Sequence, residues 1–224
     1  MGEKNDYKFV ACKSCGSVTT DPWVTPAVLE KFFGDVQPEI VHVPSPAIQI
    51  VKMKKLIQKI TSNFAGRRFL DISCRQGYAV IAAKELGFQA KGIDPHDFFI
   101  NFAKDKYNPD LFEHVSVPEY AAKKEQAELV FSIESLCEQP DPETYMAALA
   151  KMLAPGGLLY LQEPDGNSFH LPRDFTRWAF ADPPLNFAYY SKKGMEALLA
   201  RHGLKVQKSF FTWGPFMRLI AVKK

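Results

Sequence analysis

The sequence lacks the features that mark several classes of protein. Its 224 residues contain no run of about 18 apolar residues, which a membrane-spanning helix needs, and no charged and then apolar leader before a small-residue cleavage site. The net charge is only +3, and the basic residues are spread along the chain. This distribution gives no footprint for nucleic acid or for an anionic membrane. We therefore expect a cytoplasmic protein with neither nucleic acid nor membrane as a partner.

Cysteine is also scarce. The four cysteines form no dense disulfide framework, which fits a reducing compartment. Cys12 and Cys15 form a CxxCG turn of the kind that supplies half of a tetrahedral zinc site. A complete site needs further ligands, and only His42 lies nearby in the sequence, so the pattern argues against zinc and predicts no metal site. A redox CxxC normally opens a helix after a strand, which this pair does not, so a redox-inert turn is the interpretation.

One stretch in the first half of the chain has the strongest pattern. An apolar run of strand length, Phe69–Ile72, leads into a polar turn at 73–77. Apolar residues then recur at helical spacing over 78–86, and a second apolar strand, Phe88–Ile93, ends at Asp94. The pattern predicts a strand, a turn, a helix and a second strand with an acid at its tip.

This unit has a chemical consequence. A parallel crossover is right-handed, so the turn after the first strand and the tip of the second lie at the same edge of the sheet. A nucleotide-like ligand can lie across that edge, with its charged end facing the amides at the start of the helix. Asp94 follows the turn at close to the ~20 residues typical of an acid that binds two ribose hydroxyls.

The segment FLDISCRQG resembles the first motif of the Rossmann-like S-adenosylmethionine-dependent methyltransferases, an acid followed by three alternating glycines. The resemblance puts Asp71 at the motif acid and Gly77 at the last glycine, with Ser73 and Arg75 in place of the first two. It implies that these four residues and Asp94 bind S-adenosylmethionine. The Arg75 side chain can either reach the methionine carboxylate or fill the space that the ligand needs.

The resemblance continues along the chain. A third strand is predicted at Glu113–Val117, and Glu119 follows it where the family places residues beside the adenine ring. The alternative is that Glu119 caps a turn. Leu129–Ile133 is a further apolar strand, and Ser132 at its end is the last of the expected cofactor-binding residues.

Residues 127–166 resemble the fourth strand, helix and fifth strand of small-molecule methyltransferases related to the ubiquinone-pathway group. The predicted helix buries Leu153, a Pro-Gly-Gly turn follows, and the next strand is predicted at Leu158–Leu161. Glu138 stands where the family has a histidine that can orient or deprotonate an acceptor hydroxyl. A carboxylate can do this if burial raises its pKa, and a solvated loop acid is the alternative.

After the fifth strand, an aromatic and proline-rich stretch is expected to cover a substrate site. It resembles the corresponding family stretch, except that Asn186 replaces a second histidine. The candidate acceptor-binding residues are His170, Asn186 and Tyr190. The last helix is predicted to begin at Ser191, and two alternating segments around Trp213 then predict an antiparallel hairpin.

Together these patterns predict an α/β fold, a three-layer Rossmann-like methyltransferase sheet that is mostly parallel with an antiparallel C-terminal hairpin. Residues 1–46 are expected to form an arm with the CxxC knuckle, and residues 47–224 the methyltransferase-like domain. The predicted function is S-adenosylmethionine-dependent methyl transfer to a small-molecule acceptor, such as a sugar-like or other metabolite, with Glu138 as the base. Because two motif glycines and both family histidines are replaced, a catalytically inactive binding or scaffolding module is the alternative. The pattern does not determine the oligomeric state.

Overall fold

A computed structural model describes residues 1–35, 45–62 and 64–223 of the chain. The helices are α1 Pro26–Asp35, α2 Pro46–Ile60, α3 Tyr78–Glu85, α4 Asp97–Lys106, α5 Val117–Ala122, α6 Pro142–Met152 and α7 Lys192–Arg201. The strands are β1 Glu3–Lys4, β2 Tyr7–Ala11, β3 Val18–Asp21, β4 Arg68–Asp71, β5 Gln89–Asp94, β6 Phe112–His114, β7 Ala127–Ile133, β8 Leu153–Pro164, β9 Ala188–Tyr189, β10 Leu204–Phe210 and β11 Phe216–Lys223.

The main sheet has seven strands in the order β10-β11-β8-β7-β4-β5-β6. Strand β4 pairs in parallel with both β5 and β7, and β5 pairs in parallel with β6. The C-terminal strands are antiparallel. This is the predicted fold class. Within the described ranges, no helix combines the length and the apolar character required to cross a bilayer.

The central strands are apolar on both faces because parallel strands are covered on both sides. Leu129, Val130 and Phe131 of β7 are fully buried. The rings of Phe69 on β4 and Phe131 pack with their centroids 5.0 Å apart, and Phe131 also packs on Tyr160 of β8 at 4.8 Å. This packing fixes the strands whose ends carry the candidate site residues.

The chain divides into two compact units, each made of several segments. The first comprises Met1–Gln37, Ile133–Met146 and Leu161–Ala221, and the second comprises Pro38–Ser132, Ala147–Tyr160 and Val222–Lys224.

The first unit contains a small antiparallel sheet, β1-β2-β3-β9, which the sequence patterns did not predict. Val18 of β3 pairs with Tyr189 of β9, so the N-terminal segment is joined to the aromatic stretch after β8. Phe9 of β2 packs on Phe175 with ring centroids 4.9 Å apart, and Trp178 completes the cluster. Aromatic contacts therefore hold strand β2 against residues 175–178.

The predicted strand Glu113–Val117 is wrong in its second half. Strand β6 covers only Phe112–His114, and Val117–Ala122 forms α5. Ser116 and Glu119 make a reciprocal capping box that starts this helix, and such a box outweighs the strand preference of an isolated valine.

The predicted start of the fifth strand is also wrong. Strand β8 runs over Leu153–Pro164, whereas the pattern placed the strand at Leu158–Leu161 and assigned Leu153 to the helix. Gly156 adopts a left-handed conformation, with φ +71°, inside the strand. The Pro-Gly-Gly segment therefore distorts a continuous strand and does not end a helix, a use of glycine that is common at strand bulges.

Candidate functional site

The turn between β4 and α3 is hydrogen-bonded to both strands that flank β4, namely β7 and β5. The Ile72 N–H group donates to the carbonyl oxygen of Phe131 on β7 at 3.1 Å, and the Cys74 N–H group donates to that of Ile93 on β5 at 3.0 Å. The Gly77 N–H group closes the turn on the carbonyl oxygen of Cys74 at 2.7 Å. The turn is thus held at the carboxyl ends of the parallel strands, where ligands bind in open α/β sheets.

Two residues of this turn have left-handed backbone. Arg75 has φ +46° and Gly77 has φ +82°. Glycine adopts this conformation at no steric cost, whereas other residues pay about 1–2 kcal/mol for it. The replacement of a motif glycine by Arg75 has therefore kept a glycine-like backbone path. A side chain at Gly77 would also collide with the Phe112 ring, 2.6 Å from a Cβ atom built there.

The motif acid, Asp71, is buried at the end of β4 with 4% of its surface exposed. One carboxylate oxygen, Oδ1, has no hydrogen-bond partner among the described residues. Burial raises the pKa of Asp71 to about 7; the Ser73 N–H group opposes the shift, the charge of Asp94 adds to it and Arg75 opposes it. A buried acceptor without a partner is rare in proteins, and a ligand with a donor group would satisfy it.

Asp94 lies at the tip of β5, as predicted, and the structure joins it to the turn. Its Oδ2 atom accepts a hydrogen bond from the Arg75 N–H group at 2.9 Å. Its Oδ1 atom accepts one from the His96 N–H group at 3.0 Å and lies 3.0 Å from His96 Nδ1. The carboxylate is only 1% exposed. A carboxylate can accept about four hydrogen bonds, and three of these positions are taken by Arg75 and His96. Two ribose hydroxyls could therefore donate to Asp94 only if the His96 ring moved away.

The other two predicted cofactor residues lie further along the sheet edge. Glu119 is exposed, and Ser116 donates to its Oε2 atom from its N–H group at 3.0 Å and from its hydroxyl at 2.5 Å. These bonds lower the pKa of Glu119, and the residue serves as the helix cap that was its alternative role. Its contact with an adenine ring stays a prediction. Ser132 is fully buried near the end of β7.

The sequence patterns did not single out Glu163 as a candidate site residue. Glu163 lies inside β8, fully buried, and accepts three backbone N–H bonds. Its Oε1 atom accepts from Ser135 at 3.2 Å and from Leu136 at 3.0 Å, and its Oε2 atom accepts from Cys137 at 3.2 Å. Burial raises the pKa of Glu163 to about 8, against the effect of these three bonds. An acid within an apolar strand is the signal that would have found it.

Glu163 thereby fixes the loop that carries the predicted base. Glu138 is half-buried and ends a short 3₁₀ helix, Leu136–Glu138. The Cys137 thiol in this helix donates to Asn186 Oδ1 at 3.2 Å, and the Phe187 N–H group donates to the Cys137 carbonyl oxygen at 3.1 Å. The structure therefore brings together the loop of Glu138 and the segment of Asn186, two candidates that are far apart in the sequence.

The remaining candidates, Tyr190 and His170, belong to the same unit. Tyr190 is half-buried; burial raises the pKa of its hydroxyl, and the charge of Glu163 adds to the shift. His170 stacks on Phe169 with ring centroids 3.9 Å apart, and its Nε2 atom is buried without a hydrogen-bond partner among the described residues.

Within the described part of the chain, no three histidine, cysteine, aspartate or glutamate side chains come together in a metal-binding group. His42, the histidine closest in sequence to Cys12 and Cys15, lies outside the described residues.

Comparison with known proteins identifies the family of the chain and the class of its fold. Residues 48–209 match a family model described as a methyltransferase domain. A tRNA U34 carboxymethyltransferase of Pseudoalteromonas translucida is 35% identical over 122 residues, which are 49% of this chain and 37% of that protein. A ubiquinone biosynthesis O-methyltransferase of Rhizobium etli is 32% identical over 108 residues, or 46% of this chain and 44% of that protein.

The chain thus spans less than half the length of these two curated relatives. In three dimensions, the magnesium protoporphyrin IX methyltransferase of Synechocystis, solved with bound S-adenosylhomocysteine, has a TM-score of 0.61 to this chain. The alignment covers 88% of this chain and 93% of that one at 16% identity. At that identity, the similarity concerns the fold alone.

Proposed function

Since this chain belongs to the methyltransferase-domain family, in the class that uses S-adenosylmethionine, we propose that it transfers a methyl group from S-adenosylmethionine to a small-molecule acceptor. One observation carries the proposal. The β4–α3 turn keeps left-handed backbone at Arg75 and Gly77 although one of these residues is not glycine, and Asp94 lies against it. A left-handed backbone that is held at a steric cost is expected where a ligand must approach the chain closely.

The residues present fit the methyl donor. Asp71 has a buried oxygen that still needs a donor group, and Asp94 can exchange its His96 ring contact for a hydroxyl. The residues proposed to hold S-adenosylmethionine are Asp71, Ser73, Arg75, Gly77, Asp94, Glu119 and Ser132. S-adenosylmethionine supplies a methyl group that its sulfonium has already activated. The chain contributes binding, orientation and exclusion of water.

For the acceptor, Glu138 is the proposed base and His170, Asn186 and Tyr190 are the proposed contacts. Support comes from Glu163, because its three backbone hydrogen bonds hold the 3₁₀ helix of Glu138 in one position beside Asn186. A positioned carboxylate can take the proton of an acceptor hydroxyl. The net charge of only +3 gives no basic footprint for RNA, so a small metabolite is proposed although one relative is named for tRNA.

The proposal is tested by the release of S-adenosylhomocysteine in the presence of acceptors grouped as sugars, phenols and amines. Glu138→Gln is expected to lower kcat by about 10²–10⁴-fold, the usual contribution of a general base, without changing donor affinity. Glu143→Gln, at an exposed acid on α6, is the matched control and is expected to leave kcat unchanged. Equal rates for Glu138→Gln and the wild type would remove Glu138 from the mechanism.

A non-catalytic methyltransferase-like module is the second candidate, and a specific observation favours it. The Asp94 carboxylate is nearly inaccessible because Arg75 and His96 donate to it from the protein itself. Under this second proposal, the chain has lost donor binding because the Arg75 side chain occupies the space that S-adenosylmethionine would need. Arg75→Gly would then create donor binding that the wild type does not have.

A further inference from the structure

Two thiols lie in the loop between β2 and β3, outside the segment that matches the methyltransferase family. Ala11 pairs with Val18, so the loop is residues 12–17. The Cys12 N–H group donates to the carbonyl oxygen of Ser17 at 2.7 Å, and the Gly16 N–H group donates to that of Cys12 at 2.8 Å. These bonds close the loop and hold Cys12 and Cys15 on one tight turn.

The Cys12 thiol is exposed and surrounded by donors. Its sulfur lies 3.1 Å from the Ser14 hydroxyl. Hydrogen bonds from that hydroxyl, from the N–H groups of Cys15 and Ser14 and from the Cys15 thiol lower the pKa of Cys12 from 9.0 to about 6. These hydrogen bonds favour the thiolate form of Cys12, which is the reactive form of cysteine. The Cys15 thiol, which donates to the Ser17 hydroxyl at 3.3 Å, lies on the same closed loop of residues 12–17.

The geometry points to a new modification site: we propose that Cys12 and Cys15 form a reversible thiol–disulfide pair that reacts with low-molecular-weight disulfides such as oxidised glutathione. The proposal replaces the redox-inert turn that the sequence suggested. The redox-inert interpretation followed from the expectation that a redox CxxC opens a helix, whereas here the side chains and N–H groups of the loop itself favour the thiolate.

The reaction is an exchange in two steps. The Cys12 thiolate attacks one sulfur of glutathione disulfide, the S–S bond breaks, and one glutathione leaves as a thiolate that takes a proton from water. Cys15 loses its proton to water and attacks the Cys12 sulfur of the mixed disulfide, which releases the second glutathione. Two protein thiols are oxidised to one disulfide while one glutathione disulfide is reduced to two thiols.

The loop is attached to the start of α7, which gives the exchange a structural consequence. The Ser191 hydroxyl donates to the Cys15 carbonyl oxygen at 2.5 Å, and the Ser191 N–H group donates to the Ser17 hydroxyl at 3.0 Å. Ser191 is also the N-cap of α7, since its hydroxyl accepts the Gly194 N–H group. A disulfide that reshapes this loop therefore alters the cap of α7.

The chain carries its own control cysteines. Cys74 is 5% exposed and Cys137 is fully buried, and burial raises the pKa of Cys74 well above its ordinary value. Both are expected to stay unreactive under conditions that oxidise the exposed pair, because a buried neutral thiol is a poor nucleophile.

The test treats the reduced full-length chain with oxidised glutathione at pH 7, alkylates the remaining thiols after acid denaturation and locates the products by mass spectrometry. In the wild type, Cys12 and Cys15 should be lost together as an intramolecular disulfide, while Cys74 and Cys137 are alkylated. Cys15→Ser should stop at a glutathione adduct on Cys12. Cys12→Ser should form no intramolecular disulfide, because the thiol that makes the first attack is absent.

Ser14→Ala is the second variant, since it removes one hydroxyl and leaves both thiols. It should raise the pKa of Cys12 in a pH titration of alkylation and slow the first step at pH 6, while the disulfide still forms. The proposal is overturned if Cys15→Ser traps no glutathione, or if Cys12 alkylates in the native protein as slowly as Cys74. It is also overturned if the pair is blocked by zinc as purified and reacts only after chelation.

Discussion

Arg75 has a backbone conformation that glycine adopts more easily. Because φ +46° is left-handed, replacing the arginine by glycine removes a steric cost of about 1 kcal/mol. We expect Arg75→Gly to leave the free energy of unfolding unchanged or to raise it by up to about 1 kcal/mol, since the entropy of glycine in the unfolded chain offsets part of the gain. Urea unfolding measures the difference.

Arg67→Gly is the matched control, because Arg67 precedes β4, is exposed and does not have positive φ. Only the entropic cost applies there, so this variant should lose roughly 0.5–1 kcal/mol. Equal destabilisation of the two variants would mean that the conformation at Arg75 is not strained.

Glu163 makes stability depend on pH. Its pKa is raised from 4.5 to about 8 in the folded protein, so the native state holds its proton to higher pH than the unfolded chain does. The associated stability is complete below about pH 4.5 and is lost as the pH rises through about 8. Asp71, raised from 3.8 to about 7, acts in the same direction over an overlapping range.

We therefore expect Glu163→Gln to weaken the fall in unfolding free energy between pH 5 and pH 8. As the pH rises, the unfolding free energy of the variant should increase relative to that of the wild type by at most about 1.4 kcal/mol per pH unit, the value for one proton. Denaturant unfolding at several pH values provides the data. Glu128→Gln, at an acid without a histidine partner among the described residues, should not change the slope in this range, because the N–H groups of Arg68 and Arg67 lower the pKa of Glu128. Parallel curves for wild type and Glu163→Gln would contradict the assignment.

The positions of several candidate site residues could be predicted from sequence because they follow from local pattern. Asp71 ends an apolar strand, Gly77 starts a helical period and Asp94 ends the next strand, and these features are visible without tertiary contacts. His96 and Glu163 could not be assigned in this way. Their importance depends on which backbone N–H groups and carboxylates the fold places beside them, and the partners of Glu163 are 26 to 28 residues away.

At the scale of the element, the capping box of α5 explains why the predicted third strand stops early. The helix has only six residues, so its start depends strongly on the cap. Ser116→Ala removes the hydroxyl that accepts from the Glu119 N–H group and should cost about 1 kcal/mol, measured as a lower Tm. Ser116→Thr keeps a hydroxyl at the cap and should lose less. Equal losses would show that the cap does not stabilise α5.

The predicted and observed elements differ most where a sequence has no regular apolar pattern. The sequence predicted strands β4, β5 and β7 and helix α3. A strand buried on both faces gives a continuous apolar run, and a helix buried on one face gives apolar residues at helical spacing. The small sheet at the N-terminus has no such regularity: its strands β1 and β9 have two residues each. It is stabilised by aromatic contacts from residues 175–189, which no local pattern shows.

At the scale of the whole molecule, the alternation of strands and helices predicted the fold class, because a parallel sheet needs a helical crossover between successive strands. The family follows from a match that covers residues 48–209. The proposed donor residues belong to one compact unit and the proposed acceptor residues to the other. The acceptor chemistry stays a prediction, because it depends on side chains from the aromatic stretch whose positions are set by tertiary contacts.

The central claim is that the β4–α3 turn and Asp94 bind a methyl donor, and calorimetric titration with S-adenosylmethionine and S-adenosylhomocysteine tests it directly. The wild type should bind both in the micromolar range. Asp94→Ala should weaken binding at least tenfold, while Asp97→Ala, at an exposed acid on the first turn of α4, should not. No binding by the wild type, with binding gained by Arg75→Gly, would contradict the account and identify a relict donor site.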